Sequence, residues 1–245
     1  MTKIIAVLLS LHCYCLQTSG QSAVTDTALI QKAKEKAIGV YQQFEGDQSR
    51  LFNGKLYRDY TIPLTAGHPY FHTDQFETGT IWYDGMVFED IPVLYNIVSE
   101  EVITPHYNKV QWISLRNDKV SAFSFGRHYI VKIIADSASP DITTGFYQQL
   151  YGGKTAALKK RSKFLVEGIS NNQLARTMRV VERRYLFHDG KWNRVSSLRS
   201  VLKLVDGHNA AIRQHLRSAR IKYRKRPDEA LSRIAAYYDQ LTAGQ

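Results

Sequence analysis

The sequence predicts an α+β fold: a mainly antiparallel β-sheet, open or curled into a half-barrel, with an amino-terminal helix and a carboxy-terminal helical segment. Two observations predict it. Apolar residues recur at helical spacing only towards the two ends, over 27–44 and beyond Val195. From about 51 to 195, short runs rich in Tyr, Val, Ile, Phe and Trp alternate with turn pairs, a pattern of strands that are neighbours in the chain.

The elements follow in order. Residues 1–20 read as a secretory signal: Lys3, an apolar stretch from Ile4 to Leu16 broken only by Ser10 and His12, then Gln17-Thr18-Ser19-Gly20 ahead of a cleavage site. Cleavage is expected before Gln21 or after Ala23. The apolar stretch reaches only ~20 Å as a helix, short of the ~30 Å hydrocarbon core, so no transmembrane span is expected once it is removed. Cys13 and Cys15 are the two cysteines of the chain and both lie inside it. The mature chain is therefore expected to be cysteine-free, which excludes a thiol nucleophile, a Cys-ligated zinc, an iron–sulfur cluster and a disulfide.

Residues 21–195 are expected to form a β-rich domain headed by a helix over 27–44, with Leu29, Ala33, Ala37, Val40, Tyr41 and Phe44 on one face. Asn53-Gly54, Asp84-Gly85, Asn117-Asp118, Gly152-Gly153 and Asp189-Gly190 supply positive φ at low cost and mark turns between about eight to twelve strands. Asp84-Gly85 sits between Ile81-Trp82-Tyr83 and Met86-Val87-Phe88, a hairpin expected to be covered on both faces. Asn117-Asp118 is expected to join 110–115 and 120–125 as a second hairpin. Residues 196–245 are expected to form a basic helical segment packed on this domain. Ser196 or Ser197 caps a helix through Val205, a second runs from about Asn209 to Ile221, and a third opens at Pro227 with Asp228 and Glu229 in its first turn.

Charge divides along the chain. Residues 21–150 carry 11 basic and 15 acidic groups, and residues 151–245 carry 21 and 7. The densest basic run holds Arg217, Arg220, Lys222, Arg224, Lys225 and Arg226, an expected contact for an anionic surface. In a cytosolic protein that run would suggest nucleic acid; export removes nucleic acid and leaves anionic lipid, lipopolysaccharide or a cell-wall polymer as partners.

Catalytic motifs are sparse. His68, His72 and Asp74 place two imidazoles and a carboxylate within seven residues and share one face if extended, a candidate metal site that needs a further ligand. Asp84, Glu89, Asp90, Glu100 and Glu101 are candidates for a glycosidase acid pair. Gly152-Gly153-Lys154-Thr155 resembles the end of a P-loop, but Gln148 stands where the first glycine is required. No Gly-x-Ser-x-Gly elbow occurs, and no cofactor is expected. The tyrosines either form a sugar or peptide platform on one sheet face or pack inward with their hydroxyls at the rim.

Gly67-His68-Pro69-Tyr70-Phe71, the run from Gly79 to Tyr95, Gly145-Phe146-Tyr147 and Phe187-His188-Asp189-Gly190-Lys191 together resemble a group of exported proteins of Bacteroidota that has no assigned activity. The resemblance implies an envelope location and supplies no catalytic residues to carry over; the signal gives the expectation of a periplasmic or extracellular chain. The expected function is a non-enzymatic envelope protein that binds a ligand or partner. A hydrolase of cell-wall or glycan material, built on the His68/His72/Asp74 loop or an acidic pair, is one alternative, and a carrier of lipid or another hydrophobe is the other.

Overall fold

The computed structural model describes residues 27, 29–34, 36–37, 49–59, 62–170 and 172–243. The expected signal and both cysteines lie outside the described residues, as does the 38–44 end of the expected first helix. Its described part, 27, 29–34 and 36–37, is helical and belongs to a unit of its own, Met1–Phe44. The second unit, Glu45–Gln245, carries everything that follows.

After a 3-10 turn at Arg50–Phe52, eleven strands follow: β1 (Lys55–Leu56), β2 (Glu77–Tyr83), β3 (Met86–Asn96), β4 (Glu101–Pro105), β5 (Trp112–Ser114), β6 (Val120–Phe125), β7 (His128–Ile133), β8 (Gly145–Tyr151), β9 (Ala157–Ser170), β10 (Gln173–His188) and β11 (Lys191–Val195). They form one open antiparallel sheet in the order β1-β5-β4-β3-β2-β6-β7-β8-β9-β10-β11. Two meanders run in opposite directions from the β2–β6 seam. The α+β class, mainly antiparallel β, is what the sequence predicts.

Asp84-Gly85 and Asp189-Gly190 close two-residue hairpins with φ of 52° and 77°, and of 50° and 76°. The first hairpin is fully covered on one face only: Ile81, Tyr83 and Phe88 are buried, while Val87 is exposed. Asn117-Asp118 does not close a hairpin. Its flanks pair elsewhere, β5 with β1 and β4, and β6 with β2 and β7. The link is instead a tight turn in which the amides of Lys119 and Val120 both donate to the Arg116 carbonyl. In a flat sheet β5 and β6 would stand four strand spacings apart, about 19 Å. A link that turns tightly cannot span that distance, so the sheet must curl. Leu115 and Val120, on either side of the turn, accordingly share one core with Ile81, Phe88, Tyr95 and Phe123. Gly79 marks the β2–β6 seam, where any Cβ would meet the Ser124 carbonyl oxygen at 1.9 Å.

Three helices complete the unit: α1 (Leu198–Leu204), α2 (Asn209–Ser218) and α3 (Pro227–Thr242). Ser197 caps α1 through its side chain, which accepts from the Ser200 amide. Pro227 opens α3, with Asp228 and Glu229 in its first turn. Val201, Ile212, Leu216, Leu231 and Ile234 pack with Ala157, Leu186 and Val195 of the sheet into a second core, so helices and sheet are one body. Tyr57, Tyr70, Tyr83, Tyr95, Tyr147 and Tyr185 are all buried, which places these rings in the cores and not on a binding platform.

Candidate functional site

The basic carboxy-terminal segment builds a cleft, and its geometry starts at the end of α2. Arg220 adopts φ 55°, so the chain reverses there. The Ile221 amide reaches back to the Leu216 carbonyl at 2.9 Å, and the Arg220 amide to Arg217 at 3.0 Å. This paired C-terminal cap brings Ile221 against Leu216. From Ile221 the chain alternates: Ile221 and Tyr223 are buried, Lys222 and Arg224 exposed. On α2, Arg213 and Arg217 stand four residues apart and share a face.

The result is a cleft of about 540 Å³ lined by Ser196, Ser197, Leu198 and the residues just named. Its floor is apolar, from Leu198, Leu216, Ile221 and the Tyr223 ring, and four cations, Arg213, Arg217, Lys222 and Arg224, line it with no carboxylate. That size falls within the ~300–1,000 Å³ of small-molecule sites. Tyr223 is 8% exposed, and its hydroxyl is buried without a hydrogen-bond partner among the described residues. Burial pushes its pKa up, so the phenol stays protonated. A smaller hollow of about 290 Å³, lined by Arg199, Lys203 and Asp206 among others, shares Arg213.

Of the six basic residues marked in the sequence, Arg217, Lys222 and Arg224 line the cleft. Arg220 supplies its turn, and Arg226 is directed elsewhere: it pairs with Glu229 at 3.0 Å and donates to the Arg220 carbonyl. Lys225 is exposed outside the lining. Arg213 is the residue that sequence reading missed. Its i, i+4 relation to Arg217 was the available signal, hidden because Arg213 lies upstream of the dense charge run.

Behind the cleft, a network of charged side chains fixes α3 to the β9–β10 hairpin. Strand register sets Lys159 opposite Arg184 and Arg161 opposite Glu182. The like-charged first pair is tolerable only because Asp228 bridges it, at 2.5 Å to Lys159 Nζ and 2.5 Å to Arg184 Nε. Glu182 accepts from Arg161 through Nε and Nη2 and from Arg184 Nη2 at 3.0 Å. Burial raises the pKa values of Asp228 and Glu182, but hydrogen bonds and charge from Lys159 and Arg184, and from Arg161 and Lys159, outweigh it and hold both carboxyls below their usual range.

On the same hairpin, Lys163 Nζ donates to the carbonyls of His68 at 2.9 Å and Tyr70 at 2.5 Å, pinning the 68–72 loop. In that loop His68 Nδ1 accepts from the Tyr70 amide at 3.2 Å, the His72 ring lies 5.7 Å from His128, and Asp74 accepts from Gln75. The charges of Asp74 and His72 both act on His68, so the three lie near one another, but among the described residues no group of three His, Cys, Asp or Glu is placed to hold a metal. His128 is held neutral, its pKa lowered to about 4 by burial and by the charges of His72, Arg161 and Lys159.

The acidic candidates are also spent separately. Asp84 pairs with Lys119 at 3.0 Å, Glu100 with Lys160, and Glu101 accepts from Ser99 and Ser114; Glu89 and Asp90 are exposed on β3. Asp189, His188 and Tyr238 form a chain of 3.2 and 3.1 Å contacts with the connectivity of a catalytic relay. Burial and the neighbouring Asp189 and Asp239 push the Tyr238 phenol up in pKa, the wrong direction for an activated nucleophile.

Comparison with protein-family models, curated proteins and solved structures yields no match. No helix among the described residues is long and apolar enough to cross a membrane.

Proposed function

We propose that this is a non-catalytic envelope protein that binds an anionic amphiphile in the cleft between α1, α2 and residues 221–224. The observation that carries the reading is the combination in one hollow of an apolar floor with four cations and no carboxylate. An apolar ligand alone gains nothing from four guanidinium and ammonium groups, and a small inorganic anion gains nothing from the floor. A molecule with an acyl or alkyl portion and a phosphate or carboxylate head uses both, and its head oxygens accept charge-assisted hydrogen bonds from the arginine forks. The location beyond the inner membrane follows from the expected signal and from the resemblance to exported proteins, and it makes lipid-derived anions the available ligands.

The experiment is a titration of the purified chain with dodecyl phosphate, using dodecyl maltoside as the neutral control. Saturable binding of the phosphate is expected, weakening as ionic strength rises from 0.1 to 1 M and the screening length falls from ~10 to ~3 Å. Equal binding of the two detergents, or no saturable binding of either, contradicts the reading.

A further inference from the structure

The helical segment holds more cations than its own carboxylates can answer. Residues 196–245 contain four acidic side chains, and each is committed. Asp228 bridges Lys159 and Arg184, Glu229 pairs with Arg226 at 3.0 Å and Arg233 at 3.5 Å, and Asp239 accepts from the Tyr151 hydroxyl and the Thr155 amide. Asp206 accepts from the Gly207 amide at 2.9 Å and from Asn209 Nδ2 at 3.2 Å, within the turn into α2. Among the described residues, Arg199 and Lys203 on α1 and Arg213 and Arg217 on α2 make no ion pair with a carboxylate. Each couple is a like-charged i, i+4 pair, an arrangement that costs helix stability while nothing neutralises it.

The two couples meet at one place. The smaller hollow, of about 290 Å³, is lined by Arg199, Leu202, Lys203, Asp206, Asn209 and Arg213. Arg213 also lines the cleft, so one guanidinium serves both. In place of the apolar floor of the cleft, the hollow offers one apolar side chain, Leu202, and three cations against one carboxylate. It lies just below the ~300–1,000 Å³ of sites that enclose a whole ligand, and its lining suits a charged group and not a chain.

We infer that the amphiphile of the cleft carries two adjacent phosphates, the first met by Arg217 and Arg213 and the second by Arg199 and Lys203 in the hollow. The planar fork of Arg213 has donors for oxygens of both groups. The inference rests on the cleft binding an anionic amphiphile and adds the class of its head, a diphosphate.

The test is calorimetric titration of the purified chain with dodecyl phosphate and with dodecyl diphosphate, each below its micelle concentration. Arg199→Gln combined with Lys203→Gln removes the second group of contacts. Lys191→Gln combined with Arg194→Gln removes the same charge from β11, where both residues are exposed and line neither hollow. Arg199 and Lys203 are exposed too, so unchanged thermal melts verify the fold of both variants. The diphosphate is expected to bind the unsubstituted chain at least ~tenfold more tightly than the monophosphate, the factor that one charge-assisted hydrogen bond carries. The Arg199/Lys203 variant is expected to lose that advantage with dodecyl phosphate little changed, and the β11 variant to keep it. A diphosphate that gains nothing over the monophosphate, or a gain that survives in the Arg199/Lys203 variant or disappears equally in the β11 variant, overturns this inference while saturable dodecyl phosphate binding leaves the cleft reading standing. No saturable binding of either ligand overturns both.

Discussion

Asp228→Asn is expected to lower the stability of the Glu45–Gln245 unit by about 3 kcal/mol. Lys159 is the reason: its side chain is only 5% exposed, and Asp228 is the carboxylate in hydrogen-bond contact with it. Removing one partner of a buried pair costs about 3–5 kcal/mol, and the lower end applies because Asp228 is 35% exposed and Glu182 still lies 3.6 Å from Lys159 Nζ. Asparagine keeps the shape and one acceptor, so the loss measures charge and not packing. Combining it with Lys159→Met is expected to recover part of the stability, since the buried ammonium goes with its carboxylate while Arg184 keeps Glu182 at 3.0 Å. Urea unfolding of the two single variants and the double variant measures both effects.

The same network fixes the direction of the pH dependence. Asp228 and Glu182 have pKa values held below the unfolded range of about 4, so their contribution is complete above it and is lost as pH falls through the depressed folded values. His128 acts earlier. Its folded pKa of about 4 lies below the unfolded value near 6.5, so the stability it contributes through its neutral form declines between those two values. Stability is therefore expected to start falling below about pH 6.5 and to steepen below about 4, with the steep limb reduced in Asp228→Asn.

The second large effect is expected at the cleft. Arg213→Glu combined with Arg217→Glu is expected to weaken dodecyl phosphate at least ~100-fold, with the fold intact. Each charge-assisted hydrogen bond contributes about 1.5–3 kcal/mol, and 1.4 kcal/mol corresponds to tenfold, so losing two reaches that factor before any repulsion from the new carboxylates. Both positions are exposed, so the helical core is untouched. The floor makes its own contribution: each methylene that leaves water gains about 0.8 kcal/mol, so decyl phosphate, two methylenes shorter, is expected to bind roughly tenfold more weakly than dodecyl. Chain-length dependence without loss on charge reversal would place the ligand elsewhere.

Much of this molecule is legible in its sequence where the cause is local. Positive φ at Asp84-Gly85 and Asp189-Gly190, the Ser197 cap and the Pro227-Asp228-Glu229 helix opening are decided within a few residues, and the hairpins and helices follow. Sheet order is not local. β6 lies beside β2, and β1 beside β5, because a curled sheet closes one core around Leu115 and Val120, and nothing in Asn117-Asp118 announces that the turn between them crosses the sheet instead of closing a hairpin. The sites divide in the same way. The basic run was visible as charge, but which of its members share a cleft depends on the reversal at Arg220 and on Arg213 one helical turn before Arg217. The spacing of His68, His72 and Asp74 suggested a ligand set, yet Lys163, a residue nearly a hundred positions away, determines how that loop is held.

Photo-crosslinking with an alkyl phosphate carrying a diazirine near the end of its chain, followed by peptide mass spectrometry, tests the cleft most directly. Adducts concentrated on Leu198, Leu216, Ile221 and Tyr223, and competed away by dodecyl phosphate, are the expected result. Adducts scattered over the sheet and the β9–β10 ribbon, or as abundant with a neutral glycoside probe, would contradict it.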